Sequence, residues 1–179
     1  MSARKILCEP LTAGHIDHVM TWVNDPEVIR NFQHFGRDFT RDEELAYIER
    51  MAVSRTDRLF SFFDAESGAY VGQGGLNQIS WENKLGRLAI IIARDKQHQG
   101  YGQAAIHAVL QHAFEELQLN KVWLMVYKSN TRSADIYRRL GFRDEGILRS
   151  EYFWQGEYHD MLRMGLLRAE FEAARNPGA

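Results

Sequence analysis

The sequence predicts an α/β (α+β) fold, a mixed, mostly antiparallel twisted sheet of about seven strands flanked by helices. Three observations carry that expectation. Short β-type runs follow one another at 58–64, 70–80 and 85–93, with turn residues between them. A helix-period segment then separates the third run from an apolar stretch at 121–127, the order expected of a strand, a crossover helix and a second strand. Two further runs, ILRSEYFW and EYHDMLRMGLL, flank Gln155-Gly156, a hairpin turn pair.

Taken in order, residues 4–9 read as the first strand. Pro10 with Thr12 introduces a short helix that carries Ile16, Val19, Met20 and Val23 at helical spacing. From Thr40, TRDEELAYIERMA has the Thr-x-x-Glu pattern of a capping box, in which the hydroxyl and the carboxylate each satisfy a backbone N–H of the first turn. Leu45, Ile48 and Met51 supply that helix with an apolar stripe. RLFSFFD, YVGQGGLNQIS and LGRLAIIIA are the central strands, with SGA at 67–69 and WENK at 81–84 as turns. Ala105, Ile106, Val109, Leu110, Ala113, Phe114 and Leu117 fill the broad apolar face of a long helix. KVWLMVY at 121–127 is a buried strand. A helix from about Thr131 to Leu140 ends at Gly141, the residue type that most easily takes a left-handed C-terminal position. With no repeat, low-complexity tract or proline-rich linker, residues 1–179 read as one domain.

Composition narrows the function classes. At 45% apolar and 26% charged residues the chain has globular averages, and 179 residues suffice for a core without staples. A net charge of -2, with Lys and Arg scattered, gives no field to hold nucleic acid. One cysteine, Cys8, excludes an internal disulfide and a thiolate-rich metal site, so no metal is expected. The start MSARKILCEP lacks a signal-peptide core and no run approaches a membrane span, so the expected setting is cytoplasmic, with no membrane partner.

The chemistry-bearing segments lie on either side of the crossover. QHQGYG at 97–102 stands between the apolar run LAIIIA and the long helix. Free N–H groups at a helix start carry the positive end of the helix dipole, and glycines admit a phosphate close to the backbone. The spacing is neither the dinucleotide fingerprint nor a nucleotide P-loop, so a glycine-eased turn remains the competing reading. In YKSNTRSADIYRRLGF at 127–142, Asn130 precedes the next helix, and Ala134 and Tyr137, three apart, share one of its faces. An amphipathic tyrosine packed on the sheet would satisfy the same pattern.

Together, IIIARDKQHQGYGQAA and NKVWLMVYKSNTRSADIYRRLGFRDEG resemble the acetyl-CoA core of the GNAT superfamily of N-acetyltransferases, in particular its bacterial branch of spermidine N-acetyltransferases and ribosomal-protein N-terminal acetyltransferases. The likeness extends from LTAGHIDHV and WVNDPEVIRNF to EYFWQGEYHDMLRMGLL. It implies the acyl-CoA N-acyltransferase fold, acetyl-CoA as co-substrate and direct transfer of an acetyl group to a primary amine. By the resemblance, the backbone of Ile90, Ile91 and Ile92 runs beside the pantetheine arm. Gln97, His98, Gln99, Gly100, Tyr101 and Gly102 donate N–H groups to the pyrophosphate. Asn130, Ser133 and Ala134 line the cofactor arm, and Tyr137 falls on the tyrosine that acts as general acid toward the departing thiolate. Coenzyme A leaves as a thiolate with a free pKa near about 8.5, so a positioned phenol can ease its departure.

Two positions depart from the pattern. Several relatives place a glutamate base where this chain has Arg87, which cannot accept a proton. Glu82 and His34 are nearby alternatives, and neither is assigned the role. Where spermidine enzymes carry an acidic pair, NFQHFGRDF offers Gln33, His34 and Arg37 with only Asp38 negative. Phe32, Gln33 and His34 are the candidate acceptor-binding residues, and with Phe35 their aromatic and amide character suits an uncharged partner, such as an amino sugar or a peptide N-terminus, better than spermidine. Three functions remain in view: an N-acetyltransferase acting on a small-molecule amine or peptide N-terminus, a non-catalytic acyl-CoA sensor, and an interaction domain whose glycine loop is only a turn. A homo-oligomer is compatible with each.

Overall fold

The computed structural model describes residues 4–29, 38–154 and 156–175. Its strands are β1 (Ile6–Pro10), β2 (Arg58–Asp64), β3 (Tyr70–Ser80), β4 (Leu85–Ile92), β5 (Lys121–Tyr127), β6 (Arg143–Trp154) and β7 (Glu157–Leu167). They form one seven-stranded sheet in the order β1-β2-β3-β4-β5-β7-β6. The β1–β2, β2–β3, β5–β7 and β6–β7 ladders are antiparallel and β4–β5 is parallel, so the expected mixed, mostly antiparallel sheet is present. The parallel β4–β5 pair is one that needs a crossover helix, α4 (Tyr101–Gln111).

Contacts divide the chain into two compact units, Met1–Ile79 with Leu88–Val109, and Ser80–Arg87 with Leu110–Ala179. In the first, a turn of 3-10 helix at Ala13–His15 leads into α1 (Ile16–Met20), followed by α2 (Pro26–Ile29) and α3 (Arg41–Ala52). The sequence reading lacked α2. The capping box of α3 is present: Glu43 N–H donates to Thr40 Oγ1 at 3.3 Å, and Thr40 N–H donates to Glu43 Oε2 at 2.8 Å. Leu11, Ile16, Val19, Trp22, Val23, Val28 and Ile48 form its buried core, with Leu45 and Ile91 packed against it. Ile48 is the buried member of the α3 stripe, while Leu45 and Met51 are half-buried.

Three glycines in β3 set how closely its neighbours approach. A Cβ on Gly74 would press on the Ala89 carbonyl oxygen and the Ile90 Cα, and one on Gly72 on the Ile91 carbonyl oxygen. The backbone of Ala89–Ile92 therefore lies flush against β3 only because those side chains are missing.

In the second unit β5 is buried along most of its length, and Leu110, Phe114, Leu119, Leu124, Met164 and Leu166 are almost fully buried. α5 (Thr131–Arg139) ends as expected at Gly141, whose φ of +95° lies in the left-handed region. Trp154 pairs with Glu157 across the predicted hairpin, and Gly156 has φ +83°. β6 begins at Arg143, four residues before the predicted run, because register shifts at Asp144/Gly146 and Leu148/Tyr152 break the alternation that would have revealed it. A final helix, α6 (Arg168–Arg175), was also absent from the reading; Phe171 anchors it, its ring 5.1 Å from that of Phe114. The long helix widens to a π-type turn at His112–Glu116, which leaves Leu117 half-buried and makes Leu119 the buried leucine.

Candidate functional site

The first unit contributes a backbone site. After β4 and one 3-10 turn at Arg94–Lys96, the chain passes through His98 at φ +63° and Gly100 at φ +92° and enters α4 at Tyr101. The glutamine side chains turn back onto their own loop: Gln97 Nε2 donates to Ile92 O at 3.0 Å and Gln99 Nε2 to Asp95 O at 2.6 Å. Those bonds fix the loop and withdraw both amides from ligand work. Gln97 N–H is also spent, on Arg94 O at 3.3 Å, so the expected N–H donors begin after it. Tyr101 and Gly102 open the helix, where N–H groups have no intrahelical acceptor. A Cβ on Gly102 would meet only Ile92 Cγ1, at 3.7 Å. With both glutamine amides turned inward and Gly100 and Gly102 at the helix start, the loop brings main chain close to a ligand, which fits a pyrophosphate.

A buried pair that sequence reading missed holds this helix start. The Tyr101 hydroxyl donates to Asp64 Oδ2 at 2.7 Å, while Asp64 Oδ1 accepts from Glu66 N–H, Ser67 N–H and Ser67 Oγ. Those bonds, led by the Ser67 N–H, hold the Asp64 carboxyl well below the usual carboxylate range. The same contact raises the Tyr101 phenol. Arg4 sits over the Tyr101 ring at 5.0 Å. Tyr101 was expected only as a backbone donor, and its side chain positions the loop. No local signal links residues 37 apart in sequence. The β3 glycines were also missed, although three glycines inside YVGQGGL are the usual mark of close backbone approach.

The second unit contributes side chains. Asn130 caps α5, its Oδ1 accepting from Ser133 N–H at 3.1 Å, so that part of the residue is structural. Ala134 is buried at 2% exposure, and Tyr137 is half-buried with its ring edge-on to Phe142 at 5.7 Å. Burial pushes the Tyr137 phenol up to about 12, so its proton stays on at neutral pH. Arg87 lies opposite Trp123 as the last registered β4–β5 pair, its guanidinium 5.7 Å from the indole centroid. Desolvation lowers its pKa, and it stays a cation. Glu82, the alternative base, is exposed in the turn at 81–84.

Phe32, Gln33 and His34, the candidate acceptor residues, lie outside the described residues, as does Arg37. On their C-terminal side, Phe39 is clasped by the Asn24 amide through two 2.8 Å hydrogen bonds. Cys8 is exposed on β1. Among the described residues no group of His, Cys, Asp and Glu is placed to hold a metal ion, and no helix is long and apolar enough to cross a membrane.

Comparison with known proteins bears on what these two regions do. A family model described as an acetyltransferase (GNAT) domain matches residues 5–143. The chain is 27% identical over 180 residues to a spermidine N(1)-acetyltransferase of Escherichia coli K12, covering 99% of this chain and 94% of that one. It is 32% identical over 152 residues to YokL, an uncharacterized SPbeta prophage-derived N-acetyltransferase of Bacillus subtilis 168, covering 83% and 82%. Among solved structures, a spermidine N-acetyltransferase of Vibrio cholerae in complex with CoA and spermine superposes with a TM-score of 0.88 at 24% identity, over 94% of this chain and 98% of that one.

Proposed function

Because the chain belongs to the GNAT family of N-acetyltransferases, whose donor is acetyl-CoA, we propose that it moves the acetyl group directly to a primary amine of a small molecule and that residues 1–179 act as one catalytic domain. The carrying observation is the 97–102 loop, in which both glutamine amides are bound inward and the main chain of a helix start is left to face a ligand. The N–H groups from His98 to Gly102 receive the pyrophosphate. The main chain of Ile90, Ile91 and Ile92, beyond the last registered β4–β5 pair at Arg87, is assigned to the pantetheine arm, as are Asn130, Ser133 and Ala134.

The amine attacks the thioester carbonyl as the neutral species, forming the N–C bond. Collapse of the tetrahedral species then breaks the C–S bond. Tyr137 serves the leaving sulfur. Burial raises the Tyr137 phenol well above a free thiol, so full proton transfer from it to the departing thiolate runs uphill. Tyr137 therefore acts chiefly by donating a hydrogen bond to the developing thiolate, and the proton that ends on sulfur is the one the attacking nitrogen releases. No residue of this chain becomes acetylated in that sequence, in keeping with the exposed single cysteine, Cys8, on β1.

Polyamines, the substrates in the names of several relatives, belong in the acceptor panel beside amino sugars and peptides. Calorimetry with acetyl-CoA, followed by coenzyme A release across polyamines, amino sugars and N-terminal peptides, separates the readings. Saturable heat with turnover supports the enzyme. Heat without turnover on any amine leaves the acyl-CoA sensor, and no heat removes both.

A further inference from the structure

One face of the second unit carries three buried polar atoms with no hydrogen-bond partner among the described residues. Side chains alternate along a strand, so Trp123, Met125 and Tyr127 share one face of β5. Arg87 stands opposite Trp123 on β4, and Arg163 opposite Met125 on β7. Trp123 is 8% exposed and Tyr127 6%. Among the described residues, Arg87 Nε, Trp123 Nε1 and the Tyr127 hydroxyl are all buried without a hydrogen-bond partner. A guanidinium and an indole N–H are donors only, so no lysine, arginine or substrate ammonium can satisfy them.

The surrounding charge has the same sign. The Arg87 guanidinium lies 5.7 Å from the Trp123 ring centroid, and that of Arg163 lies 4.2 Å from it. Lys121 is on the same face of β5. The carboxylate that meets this group is Glu145, and it is already bound between Lys121 and Arg163, reaching Arg163 at 3.4 Å. It fits there because Gly165 has no side chain: a Cβ at that position would run into the Glu145 carboxylate. No carboxylate among the described residues pairs with Arg87. Desolvation without a compensating anion lowers its pKa, as expected of a cation whose partner arrives from outside.

We infer that the corner formed by Arg87 and Trp123, with the Arg163 guanidinium against the same indole, is an oxyanion-binding subsite, and that the amine this enzyme acetylates carries a carboxylate or phosphate group. The inference rests on the acetyl-transfer reading for its catalytic half and on the geometry alone for its binding half. A planar guanidinium with an adjacent indole N–H supplies directed, charge-assisted donors to a carboxylate or phosphate oxygen. The same corner repels a polycation.

Matched acceptors test it. Lysine and cadaverine differ by one carboxylate, and glucosamine 6-phosphate and glucosamine by one phosphate, so the two pairs also tell the anions apart. The anionic member of at least one pair should be preferred in kcat/KM by about tenfold or more. Arg87→Gln should bring that ratio within about threefold of unity, and Arg87→Lys should restore part of it. Ratios at or below unity in both pairs, or a preference that survives Arg87→Gln, would overturn the inference. A second readout needs no turnover: the indole N–H resonance of Trp123, assigned with Trp123→Phe, should shift saturably with inorganic phosphate or acetate and stop responding in Arg87→Gln. Absence of a saturable shift with either ion in the folded protein also overturns it. If acetyl-CoA binds but no amine is acetylated, the catalytic reading falls and the indole shift alone decides the subsite.

Discussion

Around the 97–102 loop, polar side chains are consumed internally: Gln97 and Gln99 bind their own backbone, and Tyr101 is held by Asp64. Around Trp123 in the second unit the reverse holds, with Arg87 Nε, Trp123 Nε1 and the Tyr127 hydroxyl buried and unpaired among the described residues. The first region leaves main chain to meet a ligand and the second leaves side chains. That difference matches two tasks. A cofactor shared by a whole family can be held by backbone, which substitution barely changes, whereas an acceptor that differs between family members needs side chains, which substitution does change.

Mutations should therefore act differently in the two regions. The largest effect is expected at Tyr137, where Tyr137→Phe should lower turnover by about ten- to a thousandfold with acetyl-CoA affinity nearly intact. Steady-state kinetics beside calorimetry checks this, and unchanged turnover would remove Tyr137 from leaving-group chemistry. In the first unit the expected loss is in affinity instead. Gly100→Val, which forces a β-branched residue to φ +92°, and Gly102→Val, which fills the open helix start, should each weaken acetyl-CoA binding by about tenfold or more. Normal affinity in both would reduce the loop to a turn.

A smaller effect, on stability, is expected at Gly74. Its Cβ would press on backbone atoms of Ala89 and Ile90, so Gly74→Ala should cost about 1–3 kcal/mol in denaturant unfolding. An unchanged midpoint would show that β4 moves away freely. The subtlest test is the pH dependence of Asp64. Its carboxyl titrates below its unfolded value, so its stabilisation is complete above the unfolded pKa of about 4 and is lost as pH falls through the lower folded value. Asp64→Asn should flatten the acid limb of the stability curve below about pH 4 and loosen acetyl-CoA binding modestly, through Tyr101. An acid limb identical to that of the unsubstituted protein would sever Asp64 from the loop.

Much of this was legible in the chain itself. β2 and β3 begin and end where the alternation and turn residues place them, and the α3 capping box is present because Thr40 and Glu43 need only each other. What escaped was set by partners distant in sequence. β6 was truncated because its bulges against β7 break its period, and α6 was missed although RAEFEAAR is rich in helix formers, since its apolar anchor is the single Phe171 packed on Phe114. At the site, the positions of Gly100, Gly102, Asn130 and Tyr137 could be read from motif spacing. The roles of the Tyr101 and Asp64 side chains could not.

By itself the sequence determined the fold class and the family, and it marked out the glycine loop before α4 and Arg87 as positions to examine. Each is encoded within a window of a few dozen residues, where period, capping and motif spacing are local properties. Only the tertiary structure decided that the loop's glutamine amides bind inward, that Tyr101 closes on a buried carboxylate, and that Arg87 Nε, Trp123 Nε1 and the Tyr127 hydroxyl have no partner among the described residues. Whether a buried polar group is satisfied depends on every chain segment that reaches it, and strand register, not sequence distance, sets that list.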